Sequence, residues 1–389
     1  MKRVLSILLF MALISSLLTP LASAEGNKSE LANGAKSAIL IERDTGAVLY
    51  DKNSHEKLAP ASMTKIMTMI LIMEALDKGQ INWDDKVRTS EYAASMGGSQ
   101  IFLETGEEMT VKEMLKGISI GSANDASVAM AEHISGSEQA FVDKMNQKVK
   151  ELGLKDTKFQ NPTGLPAKDH YSSAYDMGMM AKELLKYEKI TKYTGMYESY
   201  LREDSDKKFW LVNTNKLVRF YPGVDGLKTG FTSEAKYCLT ATAKKNDMRV
   251  VAVVFGLKSS KDRNAEVSKM LDYAFSQYQT KPLYDKGQTL GKTQVSKGKM
   301  EKVEAITDEP ISLLTKKGEK LDDIEKKITL DDDLRAPIKK GDEIGEVVIE
   351  KSGKVLSETP LVAKKSVPEA GWWELYKRSF GMFTKVDSP

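Results

Sequence analysis

The chain has 389 residues, enough for one large or two medium-sized domains. Hydrophobic residues make up 41% and charged residues 29%, a balance that excludes wholesale disorder. The 58 basic and 55 acidic residues leave a formal charge of +3, which gives no electrostatic footprint for nucleic acid as a partner.

Met1-Lys2-Arg3 is a short basic start, Val4 to Leu18 is almost wholly apolar, and Ala22-Ser23-Ala24 supplies small residues where a signal peptidase reads. This pattern predicts a cleaved secretory signal over residues 1–24 and a mature chain starting at Glu25. An uncleaved anchor is the alternative, although the apolar run is short for a bilayer span of about 20 residues. Residues 37–51 predict a hairpin: Ala38-Ile39-Leu40-Ile41 and Val48-Leu49-Tyr50 flank the turn signal Asp44-Thr45-Gly46. Residues 62–77 predict a helix that is apolar nearly all round and therefore internal. Helical patterns recur near 110–118, 122–134, 137–152 and 174–187. Strands follow near 236–244 and 248–256, turned at Asn246-Asp247, and a helix near 260–279 closes the region. The order predicts an α/β domain over residues 25–280, a mixed sheet with helices around it.

Near residue 281 the helical period fades and short alternating stretches appear, such as Glu346-Val347-Val348-Ile349-Glu350. They predict a small all-β domain over 281–366. The last segment, 367–389, contains an amphipathic helix from Trp372 to Val386. Aromatic and apolar residues (Trp372, Trp373, Tyr376, Phe380, Phe383) fall on one half, and Lys377, Arg378 and Lys385 on the other. Such a helix suits a membrane surface; docking on the protein's own body is the alternative. Cys238 stands alone, so no disulfide forms within the chain, and its apolar setting reads as a buried strand position.

Chemistry concentrates in three short motifs. The histidines His55, His133 and His170 show no metal-ligand spacing, and no Gly-x-Ser-x-Gly elbow is present. Ser-x-x-Lys is weak alone; it occurs at Ser54, Ser205, Ser233 and Ser296 as well as at Ser62. Ser62-Met63-Thr64-Lys65 differs from the others because it opens the internal helix, where free amides and the macrodipole favour negative charge. Lys65 shares a helix face with Ser62, and a lysine held against an apolar interior loses solvation and becomes a base. Serine needs such a neighbour to act as a nucleophile at neutral pH. The same residues also read as an N-cap serine with a solvated lysine. Ser122-Ala123-Asn124 and Lys228-Thr229-Gly230 follow, each pattern occurring once.

With these three motifs in order, the chain resembles the low-molecular-mass penicillin-binding proteins of the D-Ala-D-Ala carboxypeptidase family, peptidase S11. Asn124-Asp125-Ala126, Asn161-Pro162-Thr163-Gly164-Leu165-Pro166 and Asp225-Gly226-Leu227-Lys228-Thr229-Gly230-Phe231-Thr232 add to the resemblance. It runs from about residue 35 to 275, and more weakly over the β domain and terminal helix. The resemblance implies a β-lactamase/transpeptidase-like catalytic domain with an antiparallel sheet flanked by helices. It implies a serine peptidase that removes the terminal D-alanine of peptidoglycan stem peptides through an acyl-enzyme, with β-lactams as covalent inhibitors. Ser62 would be the nucleophile, Lys65 its base, and Ser122 a proton relay. Asn124 would hold the substrate amide and Lys65, and Lys228 and Thr229 the terminal carboxylate. Gly230 would let the peptide lie against its strand, and the amides of Ser62 and Phe231 would form the oxyanion hole. No metal or organic cofactor is implied. The protein would be exported, and secreted or attached peripherally to the outer face of the cytoplasmic membrane. The rival readings are a β-lactamase or DD-transpeptidase of the same fold, or a non-catalytic binder of cell-wall peptides. Glu151, in the nearest look-alike to the β-lactamase Glu-x-x-Leu-Asn motif, lacks the final Asn and reads as structural.

Overall fold

The computed structural model describes residues 31–319 and 323–383, with side chains through Lys377. The secretory signal at residues 1–24 lies outside the described residues. The central sheet contains β1 (Ser37–Glu42), β2 (Val48–Lys52), β3 (Val224–Thr232), β4 (Lys236–Lys245) and β5 (Met248–Leu257), in the order β2-β1-β5-β4-β3. Every pairing in it is antiparallel, which corrects the mixed sheet expected from the order of elements. The strands β1 and β5 join in space although they are far apart in sequence, so their pairing leaves no trace in local pattern.

Strand period places alternate residues on two cores. Ile39, Ile41, Cys238, Val251 and Val253 face one side. There they pack with the internal helix α1 (Lys65–Asp77), α2 (Asn124–Ser135), α3 (Glu138–Glu151) and α4 (Ala174–Leu184). Ala38, Leu40, Leu239, Ala241, Ala252 and Val254 face the other side, covered by Val267, Met270, Leu271 and Ala274 of α5 (Ser260–Gln277). The all-round apolar pattern of α1 has the expected consequence: ten of its thirteen residues are buried.

Two elements differ from their sequence patterns. The helix expected from residue 62 starts as a 3-10 turn, Ala61–Thr64, and becomes α-helical at Lys65. The helix expected over 110–118 is α-helical only over Val111–Lys116 and then widens into a π turn, Gly117–Gly121. The second departure is built on glycine: a Cβ at Gly121 would lie 2.9 Å from Leu211, and one at Gly117 3.0 Å from Ile101.

The helix α5 ends at Gln277 and a strand begins at the next residue. The C-terminal unit has β6 (Tyr278–Tyr284), β7 (Thr289–Ser296), β8 (Lys302–Thr307) and β9 (Ile311–Lys316). It continues with β10 (Ile324–Leu330), β11 (Leu334–Arg335), β12 (Glu343–Lys351) and β13 (Lys354–Ala363). A six-stranded sheet runs β10-β12-β13-β8-β7-β11, and β6 pairs β9 separately. A separate core of Val303, Ala305, Ile344, Val347, Ile349 and Leu361 fills it. Glu309 joins this unit to the first, 3.0 Å from Lys186 and 3.5 Å from Arg43. The last described element is α6 (Trp372–Phe383).

Candidate active site

The 3-10 turn determines how Ser62 and Lys65 meet. In that geometry side chains at i and i+3 eclipse, and Lys65 Nζ lies 3.1 Å from Ser62 Oγ. Lys65 is fully buried, and its ammonium donates to two further acceptors: Asn124 Oδ1 at 2.7 Å and the Thr163 carbonyl at 2.6 Å. Burial first, and then the positive charge of Lys228, pull its pKa well below the ordinary lysine value. Both Asn124 Oδ1 and the Thr163 carbonyl can only accept. Once Lys65 loses a proton, its two remaining N–H groups stay on those acceptors and its lone pair faces the Ser62 hydroxyl. The solvated-lysine alternative is therefore ruled out by burial and by geometry.

Ser122 follows the π turn with φ +64°, ψ +31°, a left-handed conformation that a non-glycine residue adopts at a cost of roughly 1–2 kcal/mol. Asn124 opens α2; its Nδ2 donates to the Gly97 carbonyl at 2.7 Å while Oδ1 holds Lys65. A shallow cleft of about 470 Å³ is lined by Ser62 and Ser122 on one side and Thr229, Gly230 and Phe231 of β3 on another. The strand β3 is the last in its sheet, so among the described residues one of its edges has no strand partner, and its Thr229–Phe231 stretch borders this cleft. Lys228 is buried beneath β3, and burial followed by the charge of Arg263 brings its pKa down to about 7. Thr229 Oγ1 donates to Thr214 Oγ1 at 2.7 Å.

All eight residues singled out from the sequence thus surround one cleft or its base, with Phe231 exposed at its rim. Gly230 has a packing reason of its own besides the one expected. A Cβ there would sit 2.8 Å from the Pro60 carbonyl and 3.2 Å from Ala61 Cβ, so the glycine lets β3 pack against the Ser62 turn.

Several residues of the site are given no role there by the sequence. Asn161 Oδ1 accepts from the amides of Thr163 at 3.1 Å and Gly164 at 2.7 Å, which bends the loop and aims the Thr163 carbonyl at Lys65. Its Asn-Pro-Thr-Gly composition is a turn signal, but a turn signal names no target. Thr68 fastens the same loop to α1 through the Pro162 carbonyl at 2.7 Å. Arg263 of α5 lines the cleft and is buried; its Nε and Nη2 donate to Asn264, at 3.1 and 2.9 Å. No carboxylate pairs with it among the described residues. Of the histidines, His170 bonds Thr64 Oγ1 at 2.8 Å and His55 pairs Asp156 at 2.9 Å, and neither is bonded to Ser62. Among the described residues no cluster of His, Cys, Asp or Glu could hold a metal ion.

The chain matches two family models: "D-alanyl-D-alanine carboxypeptidase" over residues 24–259 and "Penicillin-binding protein 5, C-terminal domain" over 278–369. It is 65% identical to the D-alanyl-D-alanine carboxypeptidase DacF of Bacillus subtilis (strain 168), over 99% of this chain and 100% of that one. Among solved structures it resembles penicillin-binding protein 5 from Haemophilus influenzae (TM-score 0.67, 32% identity, 86% of this chain and 98% of that one). It also resembles a mutant of the Streptomyces K15 DD-transpeptidase, with TM-score 0.58 and 28% identity, over 62% of this chain and 98% of that one. With one family model spanning more than half its length and a relative aligned almost end to end, the chain belongs to the D-alanyl-D-alanine carboxypeptidase family.

Proposed function

We propose that this serine D-Ala-D-Ala carboxypeptidase works through an acyl-enzyme on Ser62, releasing the terminal D-alanine of peptidoglycan stem peptides. The observation that carries this reading is the forced direction of the Lys65 lone pair toward Ser62. Ser62 Oγ attacks the carbonyl between the two D-alanines, and its proton passes to Lys65. The C–N bond then breaks, and the proton reaches the leaving amine through Ser122. Water attacks the ester in the second half, its proton passes through Lys65 to Ser62 Oγ, and the bond between the acyl carbon and Oγ breaks. The amides of Ser62 and Phe231 hold the oxyanion; each such donor is worth about 3–4 kcal/mol. Lys228 and Thr229 bind the terminal carboxylate, and Arg263 adds a second cation to that end of the cleft. Asn124 holds Lys65 and the substrate amide. A β-lactam acylates the same oxygen and stays attached.

We divide the chain into a signal (1–24), a catalytic domain (25–280), a small β domain (281–366) and a terminal amphipathic segment (367–389). The separate hydrophobic cores support the division. The enzyme acts outside the cytoplasm, and α6 lies on the membrane surface. Trp372, Trp373 and Tyr376 are exposed and stack on one another, which favours this over docking on the protein's own body. No described helix is long and apolar enough to cross a membrane.

Mass spectrometry of the mature enzyme with diacetyl-Lys-D-Ala-D-Ala, and in parallel with penicillin, tests the reading. Free D-alanine plus a penicillin adduct on the peptide carrying Ser62, lost in Ser62→Ala, is the expected result. An adduct that persists in Ser62→Ala refutes the nucleophile. D-alanine release that needs an added amine points to transpeptidation.

A further inference from the structure

The turn that carries Ser62 is strained and is held from outside. Ala61, the residue before Ser62, has φ +47°, a left-handed conformation that a side chain with a Cβ keeps only where its surroundings impose it. A single loop does the holding. Gly164 lies against the Ala61 carbonyl, His170 bonds Thr64, the Thr163 carbonyl accepts from Lys65, and the Pro162 carbonyl accepts from Thr68. The contact between Thr64 Oγ1 and His170 Nε2, at 2.8 Å, joins two side chains, whereas the others use the loop's backbone.

The partners of the imidazole fix its state. The Gln160 amide donates to His170 Nδ1 at 3.0 Å. A backbone N–H can only donate, so Nδ1 carries no proton and the ring proton sits on Nε2, facing Thr64. Burial keeps the ring uncharged by lowering its pKa to about 4. The Phe159 ring meets it edge to face with centroids 5.7 Å apart, which fixes the ring plane. The backbone beside His170 is anchored too: Lys158 and Tyr171 exchange bonds of 2.9 and 3.0 Å, and Leu58 and Ser172 bonds of 2.8 and 2.9 Å. His170 is thus placed independently of Thr64 and can act as a fixed point for it. Thr64 is fully buried and lies between Ser62 and Lys65 in the chain. Holding its hydroxyl fixes the rotation of the turn, and with it the 3.1 Å approach of Lys65 Nζ to Ser62 Oγ.

We propose that His170 is a positioning residue: by donating from Nε2 to Thr64 Oγ1 it sets the direction of the Ser62 hydroxyl toward Lys65. It acts through Thr64 and not on the reacting atoms. The assignment rests on the reading of Ser62 as nucleophile and adds a group that keeps it aimed.

The test follows acylation of the full-length mature enzyme by fluorescent penicillin up to saturation, so that the maximal rate and the half-saturating concentration are read separately. Mass spectrometry locates the adduct, and rates are taken per active enzyme from the final adduct yield. Thr64→Val removes the acceptor while keeping the side chain's shape, and should lower the maximal rate about tenfold with half-saturation unchanged. His170→Asn keeps an acceptor for the Gln160 amide but loses the donor to Thr64, and should do the same. His170→Gln places an amide donor where Nε2 lies, and its maximal rate should stay within about threefold of wild type. Thr64→Val combined with His170→Asn should be no slower than either single variant, because both remove one shared interaction. A wild-type maximal rate in Thr64→Val overturns the positioning role, even if the melting temperature falls. Single losses that multiply in the double variant, or equal losses in His170→Gln and His170→Asn, overturn it as well. An adduct on a residue other than Ser62 overturns the nucleophile, and the positioning role with it.

Discussion

A buried lysine is costly as an ammonium, and this site holds two, Lys65 and Lys228, both with lowered pKa values. They are needed in opposite states. As the base of the proposed mechanism Lys65 must be neutral, so that reading predicts a kcat/KM that rises with pH as Lys65 deprotonates. As the proposed carboxylate-binding group Lys228 must be charged, so the same reading predicts that kcat/KM falls as pH passes its pKa of about 7. A bound carboxylate favours the charged form of Lys228, so the falling limb of kcat lies at higher pH than that of kcat/KM. Lys228→Arg should move the falling limb out of this range, because a guanidinium does not deprotonate there. A falling limb unchanged in that variant means another group titrates. Gly164 makes a steric prediction. It has φ +82°, and a Cβ on it would lie 1.8 Å from the Ala61 carbonyl oxygen, beside the Ser62 turn. Gly164→Ala should cost roughly 3–4 kcal/mol in thermal denaturation or displace the turn, with penicillin acylation falling at least about tenfold. Gly153 has φ +66° and open space around its Cβ position. Gly153→Ala should cost only about 1 kcal/mol in the same denaturation experiment, with acylation unchanged.

At the scale of elements, what the sequence made legible was whatever has a period or a motif. The hairpin over Ser37–Lys52, the internal helix α1, and the strands β4 and β5 follow from apolar spacing alone. The three motifs single out Ser62, Lys65, Ser122, Asn124, Lys228 and Thr229, which the fold brings together around one cleft, because a serine–lysine pair and a second lysine are distinctive residue types. What stayed hidden depends on contacts between distant segments. The 3-10 start of the internal helix, the π turn before Ser122, the carbonyl of Thr163 and the position of Arg263 have no local signature. Asp125 belongs to this hidden class. Its buried carboxylate accepts from the amides of Ile101 at 3.1 and 3.2 Å, Leu103 at 3.0 Å and Ala126 at 2.9 Å. It clamps the loop before Leu103 to the start of α2. That loop in turn holds Asn124, through the Ser99 carbonyl to its amide and the Gly97 carbonyl to its side chain, both at 2.7 Å. Asp125→Asn replaces an acceptor-only group with one that turns a donor toward these amides. It should cost about 2–3 kcal/mol in urea denaturation. Because the loop positions Asn124, acylation by penicillin should slow as well; unchanged acylation would show that Asn124 is held by α2 alone.

At the scale of the whole molecule, the catalytic cleft and the amphipathic helix α6 are separated along the chain by the β unit from β6 to β13. Glu309, between Lys186 and Arg43, braces that unit against the first. The aromatic rings at the start of α6 remain uncovered by the other described residues: Trp372 is 74% exposed and Trp373 58%. Exposed tryptophans at adjacent positions are unfavourable in water and gain by burial, at about 25 cal/mol for each Å² of apolar surface removed. A membrane interface accepts the rings while the indole N–H groups and Lys377 stay hydrated, so the helix needs no deep insertion. If α6 works this way, Trp372→Ala combined with Trp373→Ala should lower partitioning onto lipid vesicles by at least about tenfold, equivalent to ~1.4 kcal/mol. D-alanine release from a small soluble peptide should not change, since α6 lies outside the cleft. Salt separates the two sources of binding. Loss of vesicle binding at high salt alone would assign it to the basic residues, whereas binding that survives salt and disappears with the tryptophans assigns it to the aromatic face. Vesicle binding by the double variant equal to that of wild type would instead require α6 to cover some other surface, and the membrane assignment would fall.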